Sequence, residues 1–318
     1  MRHTFVALRT RCHGWSLDPP MRVVGVGERA GGRPGRMMLV AEERTGSVVV
    51  TGASTGIGAA TVADLVNRGF RVWAGVRGED AAERLAGEYG ERVRVLRFDV
   101  TDADAVTAAG EQVAADGPLR GLVNNAGVAL PGPLEFLPIA ALREQLEVNL
   151  LGQLAVTQAM LPALRAASGR IVMVGSIGGR IAAPMLGAYH ASKFGLVGLT
   201  DTLRAELAPW RIPVILVEPG AIATPIWSRG AATAERLQEQ MPARAQELYE
   251  AQMNRARKNA ARSAKRGLRP QAVAGVIVRA LNEPRPKPRY LVGRDALVAS
   301  VVARLPFRLR YRLTAARA

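Results

Sequence analysis

Short runs of β-branched and other apolar residues alternate with longer amphipathic stretches from Ser47 onwards. The apolar runs are nearly continuous, as in strands that are buried on both faces. They predict strands at residues 48–51, 71–76, 93–98, 121–124, 170–175, 213–218 and 289–292. The amphipathic stretches predict helices at residues 59–68, 81–89, 103–115, 139–165, 187–208 and 271–281.

This alternation predicts an α/β fold in one domain over residues 47–296. Strands that alternate with helices form a parallel sheet, and right-handed crossovers wind the chain onto both faces of it. We therefore expect a doubly wound parallel sheet of about seven strands. Ligands of such sheets bind beyond the carboxyl ends of the strands, so the residues at those ends are the candidates for function.

A long segment, residues 221–268, separates the sixth predicted strand from the last helix and strand. Residues 232–266 within it are rich in Arg, Glu and Gln and predict a helical piece. A segment of this length at the carboxyl edge of a sheet is typical of a lid over a binding site.

Three glycines follow the first predicted strand. Residues 51–58 read Thr-Gly-Ala-Ser-Thr-Gly-Ile-Gly, and a predicted helix comes directly after them. Closely spaced glycines let backbone N–H groups approach a phosphate, and a helix N-terminus adds its partial positive charge. The spacing of Gly52, Gly56 and Gly58 differs from the usual G-x-G-x-x-G, and such turns also occur for steric reasons. Alone, the motif is therefore a weak indication of a phosphate site.

Tyr189 and Lys193 are four positions apart on a predicted helix, so their side chains share one face. An ammonium group near a phenol favours the phenolate and is expected to lower the pKa of Tyr189 towards neutrality. The phenol would then be a proton donor and acceptor at physiological pH. A pair with this spacing is common in helices and carries little meaning by itself.

Two further polar residues stand where function is expected. Ser176 ends the apolar run of the fifth predicted strand, so its hydroxyl would either bind a substrate oxygen or cap the following turn. Asn149 lies inside a predicted helix, where asparagine is a mediocre helix former. Asn149 is therefore either a surface residue without a specific role or a member of a polar network.

Taken together, these motifs resemble the short-chain dehydrogenase/reductase family. They are residues 51–58, Asp99-Val100, the Asn-Asn-Ala-Gly of residues 124–127, Asn149, Ser176, Tyr189 with Lys193, and Pro219-Gly220. They occur in the family's order and near its spacings, over residues 47–225 and more loosely to residue 292. The resemblance implies a Rossmann-type fold and an NAD(P)-dependent oxidoreductase.

The resemblance implies a role for each matching polar residue. Tyr189 would be the general acid/base, and Lys193 would lower its pKa and bind the nicotinamide ribose. Ser176 would hold and polarise the substrate oxygen, and Asn149 would support a water relay to Lys193.

The same resemblance implies the cofactor site. The glycines would approach the pyrophosphate, Asp99 and Val100 the adenine, and Asn125 the adenosine-side ribose. Residues 219–224 would line the nicotinamide and its phosphate. The full set is Gly52, Ser54, Thr55, Gly56, Ile57, Gly58, Arg77, Asp99, Val100, Asn125, Ala126, Gly127, Tyr189, Lys193, Pro219, Gly220, Ile222 and Thr224.

The end of the second predicted strand distinguishes the two nicotinamide cofactors. NAD sites place Asp or Glu there to bind the ribose 2′-hydroxyl. In this chain Val76 occupies that position and Arg77 follows it, and a guanidinium suits a 2′-phosphate. Ser54 would add a hydrogen bond. We therefore predict NADP(H) in preference to NAD(H); if Arg77 instead points to solvent, both cofactors would bind.

The residues expected around the substrate are apolar. They are Ile181, Pro184, Met185, Leu186, Ile226 and Trp227. They predict a lipophilic alcohol or ketone as substrate and disfavour a sugar. Residues 72–77 and 289–296 resemble the branch that contains retinol and 17β-hydroxysteroid dehydrogenases. The alternative is a non-catalytic, nucleotide-sensing protein on the same fold, although such relatives usually lose the tyrosine or the lysine.

The formal net charge is +16, and it is unevenly distributed. Residues 1–46 carry +4, residues 47–253 carry −3 and residues 254–318 carry +15. Residues 1–46, rich in Arg, Gly and Pro, predict a disordered basic tail. Residues 297–318 form a basic amphipathic segment, which would contact an anionic membrane surface, pack on a partner subunit or stay solvated. Nucleic-acid binding is disfavoured because this segment's only aromatic residues are Phe307 and Tyr311.

Composition excludes several other classes. The single cysteine, Cys12, cannot form an internal disulfide, and three histidines disfavour a metalloenzyme or a Ser-His-Asp hydrolase, so no metal is expected. We expect a cytoplasmic protein. No run approaches the roughly 20 apolar residues of a membrane span. From the family alone we expect a homodimer or homotetramer that pairs through helices 139–165 and 187–208.

Overall fold

Seven parallel strands form a single sheet in this computed structural model, which describes residues 46–315. The strands follow the order β3-β2-β1-β4-β5-β6-β7 across the sheet. Their bounds are β1 Ser47–Thr51, β2 Arg71–Val76, β3 Val93–Arg97, β4 Leu119–Asn124, β5 Arg170–Val174, β6 Val214–Pro219 and β7 Arg289–Val292. The predicted doubly wound α/β sheet and all seven of its strands are confirmed.

Helices cover both faces of this sheet. They are α1 Gly56–Asn67, α2 Glu79–Tyr89, α3 Ala103–Asp116, α4 Ile139–Leu146, α5 Gly152–Ala167, α6 Gly187–Glu206, α7 Ile226–Glu239, α8 Ala243–Arg266, α9 Pro270–Asn282, α10 Arg294–Val302 and α11 Phe307–Ala315. The alternation of side chains along each strand separates two cores. Val48 and Val50 of β1 face the core that contains Leu65 and Ile277, whereas Val49 faces the core of α3, α5 and α6.

The strand order reverses between β1 and β4, and this is where the site forms. Chain connections leave the two strands in opposite directions there, so a crevice opens beyond their carboxyl ends. The Thr51 hydroxyl joins the two ends, because it accepts the N–H groups of Asn125 at 2.9 Å and Ala126 at 3.0 Å.

Two predicted helical segments, and the basic C-terminal segment, are divided in the structure. The helix predicted at 139–165 consists of α4, a π-helical turn at Glu147–Leu151, and α5. The helical piece predicted at 232–266 breaks before Pro242, since proline disfavours the helical conformation of the residue before it, and gives α7 and α8. The basic C-terminal segment forms α10 and α11 on either side of Pro306.

The predicted division of the chain into tail, domain and C-terminal segment stays a prediction. Residues 1–45, which include nearly all of the predicted N-terminal tail, lie outside the described residues. Within residues 46–315, every helix is too short or too polar to cross a bilayer.

Candidate active site

The segment between β1 and α1 has the geometry of a phosphate-binding loop. Gly52 and Gly56 have φ angles of +62° and +60°, a region that side-chain-bearing residues rarely adopt. A Cβ atom on Gly58 would lie 2.2 Å from the carbonyl oxygen of Gly52. All three predicted glycines are therefore required by the backbone itself.

This loop fits the pyrophosphate of a dinucleotide. Helix α1 begins within it, so the unpaired N–H groups and positive dipole end of the helix are directed at the loop. The Thr55 hydroxyl accepts a hydrogen bond from Arg229 at 3.3 Å, which brings a cation from the predicted lid to the same place. The loop would hold the anionic centre of the cofactor through Gly52, Thr55, Gly56, Ile57 and Gly58.

Asn125 connects the end of β4 to the glycine loop. Its side-chain amide donates to the carbonyl oxygens of Thr51 at 2.9 Å and Gly52 at 3.1 Å. The amide nitrogen therefore holds the glycine loop in place, and the expected contact of Asn125 with the adenosine-side ribose stays a prediction. Thr51 was not among the predicted site residues, because its function depends on a contact with residues more than 70 positions away.

At the adenine end of the crevice, Arg77 and Asp99 lie 3.4 Å apart. Val76 is buried, so it cannot bind a ribose hydroxyl, whereas the Arg77 side chain is 68% exposed. Burial tends to raise the pKa of Asp99, but hydrogen bonds from Thr101 and Arg77 outweigh this effect and hold the pKa below its usual value.

A second positively charged side chain lies at the adenine end of the crevice. Arg84 of α2 donates to the Ser54 carbonyl oxygen at 2.8 Å and was not predicted from sequence. Ser54 itself belongs to the glycine loop, so this end of the crevice brings Ser54, Arg77 and Arg84 to one region.

The predicted catalytic serine and tyrosine meet in the structure. Ser176 follows β5, and its hydroxyl accepts the Gly178 N–H at 3.0 Å, so the turn-capping alternative is also realised. The Ser176 side chain also lies near enough to the Tyr189 phenol of α6 to act on its pKa, which it lowers. Both hydroxyl groups thus lie at the carboxyl end of the sheet, on elements that are distant in sequence.

The pKa of Tyr189 is not lowered by Lys193 in the way the spacing predicts. Burial raises the pKa of Tyr189, with the hydrogen bond from Ser176 acting in the opposite direction. Burial also lowers the pKa of Lys193 to about 8. The ammonium lies 5.9 Å from the tyrosine ring centroid and donates to the Val174 carbonyl oxygen at 2.9 Å. The predicted lowering of the Tyr189 pKa is wrong for this arrangement, because burial of the phenol raises it.

Asn149 belongs to a buried polar network. It is fully buried in the π-helical turn, and its amide bonds both the N–H and the carbonyl of Val128, at 2.9 and 3.0 Å. It also donates to Ser192 at 3.1 Å, and Ser192 donates to the Tyr189 carbonyl oxygen at 2.7 Å. The network therefore reaches helix α6 beside Lys193, while the predicted water relay stays a prediction.

His190, which was not predicted to be in the site, holds the loop after Ser176. Its Nδ1 bonds the Gly178 carbonyl oxygen at 2.8 Å, and its Nε2 accepts the Ala183 N–H at 2.9 Å. These partners define a neutral imidazole that is protonated on Nδ1. Burial lowers the pKa of His190, which favours the same neutral form.

On the nicotinamide side, the predicted residues form a turn and the start of the lid. The Gly220 N–H bonds the Val292 carbonyl oxygen at 2.9 Å after Pro219 ends β6. Ile222 is buried, and its carbonyl accepts the Trp227 indole N–H at 2.6 Å. A Cβ on Gly56 would lie 3.1 Å from the Thr224 methyl group, so the lid begins against the phosphate loop.

The apolar residues expected around the substrate lie in two segments near this turn. Met185 is buried, Pro184 is exposed, and the others are half-buried: Ile181, Leu186, Ile226 and Trp227. The lid also contacts the loop before α4, since the Tyr249 hydroxyl donates to Glu135 at 2.7 Å.

Known relatives carry similar sequences. An NADPH-dependent 3-dehydrocapnine reductase from Ornithobacterium rhinotracheale is 35% identical over 258 residues, 79% of this chain and 89% of the relative. The 17-beta-hydroxysteroid dehydrogenase type 6 of Bos taurus is 39% identical over 209 residues, 64% of this chain and 65% of the relative. Retinol dehydrogenase 16 of Homo sapiens is 39% identical over 186 residues, 57% and 58% of the two chains. These matches support the predicted retinol and hydroxysteroid dehydrogenase branch.

Solved structures share the fold. A short chain dehydrogenase from Burkholderia cenocepacia J2315 in complex with NADP is 30% identical, with a TM-score of 0.65 over 85% of this chain and 96% of that one. A short chain dehydrogenase/reductase from Burkholderia phymatum in complex with NAD is 27% identical, with a TM-score of 0.68 over 81% and 92%. The sequence model of the short chain dehydrogenase family matches residues 46–235. On these grounds, the chain belongs to the short-chain dehydrogenase/reductase family and is an NAD(P)-dependent oxidoreductase.

Proposed function

We propose that this oxidoreductase uses NADP(H) to interconvert a carbonyl and an alcohol on a lipophilic small molecule, with Tyr189 as the general acid/base. The observation that carries the proposal is the placement of the Ser176 side chain beside the Tyr189 phenol, with the Lys193 ammonium 5.9 Å from the centroid of that ring. This group lies at the carboxyl edge of the sheet, where the glycine loop also opens.

The side chains divide the chemistry between them. The nicotinamide, when bound, supplies or accepts the hydride. The Ser176 hydroxyl binds the substrate oxygen and orients it towards Tyr189. The Tyr189 hydroxyl donates its proton to that oxygen in reduction and takes it back in oxidation. Lys193 keeps a positive charge near the phenol, which stabilises the phenolate left after donation.

At neutral pH the Tyr189 phenol carries its proton, which is the form that donates during reduction. Burial keeps the proton on the phenol, so the residue is ready to act as a donor. Lys193, with a pKa of about 8, is mostly charged at pH 7 and can compensate the negative charge that develops during transfer.

The preference for NADP(H) rests on cations at the adenine end. Arg77 is exposed at the position that follows β2, and Arg84 and Ser54 stand beside the same part of the crevice. A guanidinium binds a 2′-phosphate through two parallel hydrogen bonds. One relative is described as NADPH-dependent, although similar structures contain either NADP or NAD.

The substrate class follows from the apolar surroundings of the site. Met185, Leu186, Ile226 and Trp227 present mainly hydrocarbon surface, which binds a steroid-like or isoprenoid-like carbonyl better than a sugar. Relatives named for a hydroxysteroid and for retinol agree with this class.

The basic C-terminal surface, which we define as the exposed side chains of α10 and α11, is proposed to contact an anionic membrane. Seven large apolar side chains are exposed there: Leu297, Val298, Val301, Phe307, Leu309, Tyr311 and Leu313. Arg304, Arg308 and Arg312 are exposed among them. Apolar and cationic groups on the same short helices suit the boundary between headgroups and acyl chains. A lipophilic substrate would be concentrated at that boundary.

A second copy of the chain is the proposed protein partner. The exposed apolar side chains of Leu151, beside α5, and Phe194, on α6, are 48% and 46% accessible. They lie on the two helical segments through which the family resemblance implies pairing. The assembly stays a prediction, as does the cytoplasmic location.

Substituting Tyr189→Phe should abolish turnover and leave NADPH affinity unchanged. NADPH oxidation would be followed with retinal, a steroid ketone and a long-chain 3-keto compound. We expect reduction of at least one, and a loss of roughly a thousandfold in kcat for the variant, because general acid catalysis contributes this order. The matched control is Tyr89→Phe at the end of α2. Turnover of polyols alone would contradict the substrate class, and NADPH binding without any turnover would favour the nucleotide-sensing alternative.

Substituting Lys193→Met should abolish activity and change the pH dependence of stability. The pKa of Lys193 is about 8 in the folded chain and 10.5 in its ordinary state, so burial destabilises the fold below pH 8. This penalty fades as the pH rises towards 10.5, because the unfolded chain then also loses the proton.

We therefore compare the Tm of Lys193→Met with that of the unsubstituted protein at each pH. The difference, variant minus unsubstituted, should be highest near pH 7 and fall by about 4 °C towards pH 10. The lost bond to Val174 lowers the Tm equally at both ends of that range. Lys265→Met, on the exposed face of α8, is the control. A Tm difference that stays constant with pH would show that Lys193 is not desolvated in the fold.

Substituting Arg77→Gln should shift the cofactor preference towards NADH. The ratio of kcat/KM for NADPH to that for NADH is expected to fall roughly a hundredfold, since a charge-assisted pair with the 2′-phosphate is lost. Glutamine avoids placing a second carboxylate beside Asp99, and Arg77→Asp should give a larger shift in the same direction. Arg92→Gln, exposed after α2, serves as control. An unchanged ratio would refute the assignment of Arg77.

Vesicle binding tests the basic C-terminal surface. The protein should sediment with vesicles of phosphatidylglycerol and phosphatidylcholine, less so at high salt, and not with phosphatidylcholine alone. The double substitution Arg308→Gln/Arg312→Gln should weaken this binding, whereas Arg255→Gln/Arg262→Gln on α8 removes the same charge elsewhere and should not. If both double variants lose vesicle binding equally, the membrane attracts the protein through its net charge only, and the proposed surface is overturned.

A further inference from the structure

The carboxylate of Asp295 is packed against the turn that follows β6. Asp295 lies in the first turn of α10 and accepts the Ala221 N–H at 2.6 Å. A Cβ on Gly220 would lie 2.2 Å from each carboxylate oxygen, and a Cβ on Gly293 would lie 2.5 Å from one of them. The carboxylate therefore fits a space that exists only because two neighbouring residues are glycines.

The same turn is held from its other side by a buried ion pair. Glu218, the residue before Pro219, is fully buried and accepts two hydrogen bonds from the Arg180 guanidinium, at 2.7 and 2.5 Å. Arg180 directly follows the short helical turn that Ser176 caps. The bidentate geometry fixes orientation as well as distance.

These contacts connect three parts of the chain at one point. Arg180 joins the turn to the Ser176 loop, and Asp295 joins it to the C-terminal helix α10. The bond from Ala221 is charge-assisted and short, and such bonds are about twice as strong as those between neutral groups. A carboxylate in the first turn of α10 is also favoured by the dipole of that helix.

We propose that Asp295 is a positioning residue, which fixes the turn of residues 219–221 and thereby sets where the nicotinamide lies relative to Ser176 and Tyr189. The inference rests on the proposed function of that turn as the nicotinamide side of the cofactor site. Asp295 lies beyond residues 46–235, which the family model matches, and was not among the predicted site residues.

The packing of Gly220 against Asp295 can be tested with a double-mutant cycle. Gly220→Ala introduces a methyl group that collides with the carboxylate, so the turn must move. Asp295→Ala removes the carboxylate and creates room for that methyl group. The double variant Gly220→Ala/Asp295→Ala should therefore lose less NADPH affinity than the losses of the two single variants predict when they are added.

The first measurement is hydrogen exchange in the protein without added cofactor. Backbone exchange in a peptide that covers residues 219–224 should rise about tenfold in Asp295→Ala, because the Ala221 N–H loses its acceptor. Asp295→Asn keeps an amide oxygen as acceptor and should give an intermediate rate. Asp104→Ala removes a first-turn carboxylate from α3 and should leave this peptide unchanged. Unchanged exchange in Asp295→Ala would overturn the proposal.

The second measurement is NADPH affinity together with the kinetic isotope effect of 4-deuterated NADPH. Asp295→Ala should weaken NADPH binding about tenfold and change the isotope effect, because the distance for hydride transfer is no longer fixed. A faster-exchanging turn with unaltered affinity and isotope effect would refute the positioning role. If the unsubstituted protein does not bind NADPH, the proposed function fails, while the exchange data still decide whether Asp295 holds the turn. If Asp295→Ala does not fold, Asp295→Asn provides both measurements.

Discussion

The buried ammonium of Lys193 is the constraint on which the rest of the site depends. A charged group that is only 5% exposed is unfavourable unless polar atoms surround it, and the fold places the Val174 carbonyl within 2.9 Å. The adjacent residue, Ser192, is held by the amide of Asn149, and Asn149 reaches it from a π-helical turn inside a helical segment. Turns of this kind are rare and often occur at functional sites. The irregular backbone thus brings the Asn149 amide into the core beside helix α6.

The regular structure and the glycine loop were predictable because local sequence determines them. Each strand is a short apolar run, and the pairing of parallel strands requires nothing else from the side chains. Gly52 and Gly56 were recognisable because only glycine adopts their backbone angles without strain. Likewise, Tyr189 and Lys193 share a helix face by their spacing alone. These features depend on residues that are close together in the sequence.

What could not be predicted depends on contacts between distant segments. Thr51, His190, Arg180 with Glu218, and Asp295 are ordinary residues in the sequence, and their partners are identified only by the folded chain. The direction of the Tyr189 pKa shift was wrong for a related reason. Spacing indicates that a lysine is near, but it does not indicate how thoroughly the phenol is removed from water, and here burial is the larger effect.

The C-terminal part of the chain is structurally part of the site. Helix α9 packs against α1 through Ile277 and Leu65, in the same core that supports the glycine loop. Strand β7 pairs with β6 up to Pro219, so the edge of the sheet and the turn of residues 219–221 are formed together. Helix α10 begins directly after β7, so the position of β7 at the edge of the sheet places the Asp295 carboxylate beside that turn. The exposed apolar and basic side chains of α10 and α11 continue from the same point. One short helix, α10, therefore carries both the carboxylate that holds the turn and the first part of the exposed apolar surface.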